Sequence, residues 1–198
     1  SIFEARRALV TEAGGTFVEV AKDVKLQLDF NPAKISAYRL IGYEDRILSA
    51  EDFADDTKDG GEIGSGHRVT FLYELVPVGS DFQVDVLQSK YQQSGVQEET
   101  DEWLTLNIRA KKPDEQVGRL WFYPLEGNPM EKMSDQMKFA AAIVETGMLL
   151  RDSEYKGSAS YTSALELARD SNLVTGDPYK EEFVYLLTLL ERNDQIRH

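Results

Sequence analysis

Asp55, Thr57, Asp59 and Gly60 stand at the first, third, fifth and sixth places of a calcium loop of the EF-hand kind. Such a loop needs a bidentate Glu at its twelfth place, and Gly66 stands there instead. The flanking helices of an EF-hand are missing from the pattern as well. What remains is an irregular oxygen-ligand site, with Asp55, Asp56, Asp59 and Glu62 as candidate metal ligands. Against it stands a plainer reading. Glu44–Glu62 carries eight acids and two bases, and Gln93–Glu102 four acids and no base. Segregated charge of this kind is the mark of solvated loops, so both are expected to be exposed and to bind no metal tightly.

Other constellations fail at a specific residue. Gly61 and Gly66 have phosphate-loop spacing, but His67 occupies the lysine position and a strand, not a helix, is expected to follow. Gly64-Ser65-Gly66 lacks the third glycine of a dinucleotide fingerprint. There is no G-x-S-x-G elbow, no H-E-x-x-H pair and no cysteine. Only His67 and the terminal His198 supply imidazoles, so a Ser-His-Asp arrangement would rest on His67, which reads better as the opening of a strand after a glycine turn. No catalytic residue and no cofactor is expected. Trp121-Phe122-Tyr123 puts aromatics on both faces of one strand, one for the core and one for a helix packed above it, with a sugar-stacking platform as the rival.

These residues must be positioned by elements the patterning predicts. Ser1–Ala13 reads as a helix stopped by Gly14-Gly15. Strands are expected at Thr16–Val20, at Val24–Phe30 with Val24, Leu26, Leu28 and Phe30 inward, and at Ser36–Tyr43. Further alternation runs over Val69–Leu75, Phe82–Leu87 and Leu104–Arg109, and Leu120–Leu125 closes the series of strands. Strands at this spacing without intervening helices predict an α+β chain, its antiparallel sandwich-like part leading into a small three-helix domain. Ser134 caps the first of those helices, which runs to Arg151 and is apolar nearly all round, so burial on several sides is expected, with close packing at Gly147. The second covers Tyr161–Asp170 with Leu165 and Leu167 inward. The third opens at Asp177-Pro178 and continues to Arg192, with Phe183, Leu186, Leu187 and Leu190 on one face. The boundaries expected are residues 1–15, 16–127 and 128–198.

The formal net charge of −13 over 198 residues argues against nucleic acid and anionic membrane surfaces as partners. The longest apolar run, Met137–Leu150, contains Lys138 and Glu145 and falls short of the roughly 20 residues a membrane-spanning helix needs. Direct membrane insertion is therefore not expected, and the start without Met in a helical pattern suggests a fragment of a longer protein.

Four ordered blocks carry a resemblance: Val20–Pro32, Tyr38–Leu48, Glu51–Pro77 and Phe139–Gly157. Together they resemble the C-terminal portion of bacterial von Willebrand factor type A domain proteins, an uncharacterised region that follows the type A domain. On that resemblance Ser1–Ala13 is similar to the last helix of the type A domain. The resemblance implies an extracytoplasmic protein, in the periplasm or at the cell surface and commonly membrane-anchored, which engages other proteins. It implies a non-enzymatic accessory module with a protein partner, the upstream type A domain included. The D-x-S-x-S metal loop of type A domains does not occur, so no metal ligand is carried over. A carbohydrate-binding sandwich and a hydrolase with its site in the acidic cleft are the two rival functions.

Overall fold

The computed structural model describes residues 18–42, 47–82 and 100–197. The helix expected at Ser1–Ala13, the strand after Phe82 and most of the second acidic loop lie outside them. The described residues fall into two compact units, one within Arg6–Asn128 and the other within Pro129–His198.

The first unit is built of antiparallel strands. These are β1 (Glu19–Phe30), β2 (Ile35–Ile41), β3 (Gly61–Gly64), β4 (Leu72–Pro77), β5 (Leu104–Lys111) and β6 (Arg119–Leu125), with one short helix, α1 (Ala50–Ala54). Four strands form a sheet in the order β3-β1-β5-β6, and β2 pairs with β4 in a second. The sheets meet through Phe30, whose ring stacks on Tyr38 at 4.0 Å and lies edge-on to Tyr73 at 5.6 Å. The α+β class with antiparallel sheets is thus what the structure has.

Several local expectations change. Thr16–Val20 and Val24–Phe30 were separate in the pattern, but Glu19–Phe30 is one strand with an irregularity at Asp23, whose φ is +51°. Of the expected inward set, Val24, Leu28 and Phe30 are half-buried and Leu26 is exposed, while Lys25 on the other face is only 3% exposed because another segment covers that part of the strand. Strand β4 begins at Leu72, leaving Val69 outside it and exposed, and His67 follows a turn without opening a strand. Helix α1 and strand β3 arise within the acid-rich segment, where the sequence pattern predicts only polar loop. Ser49 caps α1 by accepting from the Asp52 N–H, and its Phe53 is buried.

Strand β6 lies at the edge of the sheet among the described residues, and all seven of its residues are exposed. The Leu125 carbonyl accepts from the Trp103 N–H at 2.8 Å, so it faces β5. Pro124 then faces outward, where its missing N–H costs no ladder bond. Trp121, Phe122 and Tyr123 are 40%, 62% and 52% exposed, so among the described residues of this unit none of the three is buried.

The second unit has helices α2 (Asp135–Leu150), α3 (Tyr161–Arg169) and α4 (Pro178–Arg197). Ser134 caps α2, and Ser160 with Ser163 forms a capping box on α3. Asp177 caps α4 through the N–H groups of Tyr179 and Lys180. Ala142, Ala164, Leu165, Ala168 and Leu187 form the core, flanked by Phe183 and Leu167. Phe139 meets Phe183 edge-on at 5.5 Å. Three expectations fail. Only Ala142 and Thr146 of α2 are buried, Met137, Ile143 and Leu150 being exposed, and a side chain at Gly147 would meet open space. Leu186 is exposed as well, since the inward stripe of α4 runs through Phe183, Val184 and Leu187.

Candidate functional site

The densest polar chemistry sits on one face of the four-stranded sheet. Lys22 pairs in register with Lys111, and Lys25 with Arg109, so all four cations share that face. A row of like charges needs counter-charge, and the segment from Ser49 to Gly60 supplies it. Lys25 donates through Nζ to the Asp52 and Asp55 carbonyls at 3.0 and 2.5 Å, at the C-terminal end of α1. Lys111, 6% exposed, donates to Asp23 Oδ2 at 2.7 Å and to the Asp56 carbonyl at 2.8 Å. Arg109 grips Asp56 with two bonds, Nε to Oδ1 at 3.1 Å and Nη2 to Oδ2 at 2.9 Å. Lys22 reaches the Pro113 carbonyl at 2.7 Å.

Two glycines let the backbone come this close. The Gly60 N–H donates to Asp23 Oδ1, and a Cβ at Gly60 would lie 2.6 Å from the Asp23 backbone. Gly118 donates to Asp56 Oδ1, and a Cβ there would strike that oxygen and the Arg109 guanidinium. The electrostatics follow from these contacts. The Lys111 ammonium holds the Asp23 carboxyl below the usual carboxylate range, and the Arg109 guanidinium does the same for Asp56. Asp55 is lowered by the N–H and hydroxyl of Thr57, which both donate to its Oδ1. None of these carboxyls is tuned toward neutral pH, where an acid–base catalyst would need to work.

The four candidate metal ligands therefore have separate fates. Asp55 closes a turn onto Thr57, Asp56 is bound by Arg109, and Asp59 and Glu62 are exposed. Among the described residues, no three acidic or histidine side chains converge to hold a metal ion. His67 is exposed, its backbone N–H donating to the Gly64 carbonyl. Lys25, Arg109 and Lys111 were the residues the pattern missed. As polar members of alternating strands they read as solvent-facing, and the signal that could have found them was the large acid excess of the loop.

No helix among the described residues is long and apolar enough to cross a membrane. No solved structure matches the chain. A relative in Escherichia coli (strain K12), described as "Uncharacterized protein YfbK", is 35% identical over 192 residues. That alignment covers 96% of this chain and 33% of the relative, so the chain spans about a third of the length of the curated relative it matches. The family model described as "Uncharacterized protein YfbK, C-terminal" matches residues 15–192, a stretch that contains the entire cation row and its acidic clamp. The chain therefore belongs to the YfbK C-terminal family.

Proposed function

We propose that this chain is a non-enzymatic accessory module of an extracytoplasmic bacterial protein of the von Willebrand factor type A kind, and that it works by binding protein. The observation that carries this reading is β6. It is an edge strand among the described residues, and Leu120, Trp121, Phe122, Tyr123 and Leu125 on it are all exposed. An edge strand offers unpaired backbone groups to a partner, and aromatic side chains are enriched where proteins meet. The sheet's polar face supports the non-enzymatic part, because its cations and the carboxylates facing them are engaged with one another. The partner this reading names is the type A domain of the same longer protein, in keeping with the resemblance of the four sequence blocks.

A titration of this chain with a separately produced type A domain tests the proposal. Binding should shift tryptophan emission, since Trp121 lies on the proposed surface, and Phe122→Asp should weaken it at least tenfold while leaving the melting curve unchanged. Equal affinity for the wild type and Phe122→Asp, or no complex at all, would overturn it.

A further inference from the structure

We draw no further inference here: the strongest candidate, the exposed aromatic edge strand β6 with Trp121, Phe122 and Tyr123, belongs to the surface already proposed to bind protein, and nothing among the described residues shows what covers it.

Discussion

In the sheet unit the deeply buried side chains include Lys25 and Lys111, whereas in the helical unit the core is Ala142, Ala164, Leu165, Ala168 and Leu187. The first kind of cohesion is directional, because each ammonium must meet particular carbonyl and carboxylate oxygens. The second depends on volume, and small alanines let α2 and α4 approach α3 closely. The two units should therefore fail under different insults. They can be watched apart, since both tryptophans, Trp103 and Trp121, lie in the sheet unit, while far-ultraviolet circular dichroism is dominated by α2, α3 and α4.

The largest effect is expected from Leu187→Ala. Leu187 is 1% exposed, and the cavity should cost about 3 kcal/mol, lowering the circular-dichroism transition in urea. An equal shift in tryptophan fluorescence would break the comparison by making the units one cooperative block. Next comes Lys111→Ala, which strands the Asp23 carboxylate and the Asp56 carbonyl. Asp23 keeps about a quarter of its side-chain exposure, so the loss should be about 2 kcal/mol, less than for a fully buried pair. Here the fluorescence transition should move and the helical one stay.

Acid gives a smaller change of the same kind. Asp23 and Asp56 have lowered folded values, so their stabilisation is complete above the ordinary carboxylate range, about pH 4, and is lost as pH falls through the folded values. The fluorescence midpoint should fall over that acid window, and Asp56→Asn should flatten the fall. An identical pH profile for the variant would remove Asp56 from the clamp. Gly147→Ala should be mildly stabilising, by about 0.5–1 kcal/mol, because an added methyl meets nothing and a helix-interior glycine is replaced. Asp59→Asn should leave both transitions within about 0.5 kcal/mol, as expected for an exposed surface position.

The helical unit was the more legible of the two. Ser134 and Asp177-Pro178 are local signals, read by the backbone within one turn, and both helices start where these residues place them. How far each apolar face was buried was less legible, because Ile143 and Leu186 are apolar whether or not anything packs on them. In the sheet unit the strands β5 and β6 form where the sequence predicts them, within two residues at each end. Helix α1 and strand β3 did not announce themselves, since five and four residues carry little periodicity and are fixed by tertiary contacts. The candidate site was legible only as charge. Acid excess marked the loop, but its partners Lys25, Arg109 and Lys111 lie up to 55 positions away and became visible only through strand pairing.

The irregularity at Asp23 has a further consequence. Between Lys22 and Lys25 strand β1 advances three residues while β5 advances two, from Lys111 to Arg109. The extra residue turns the strand over at that point, which is how Lys22 and Lys25, an odd number of positions apart, come to share one face. Insertions and deletions are therefore far harder to absorb here than substitutions. Losing one residue between Lys25 and Phe30, where the pairing with β5 is regular, would carry every side chain beyond it to the opposite face of the sheet. Gaps between this chain and functional relatives should consequently fall outside Lys25–Phe30, and it is the spacing of this stretch, as much as its residues, that inheritance has to keep.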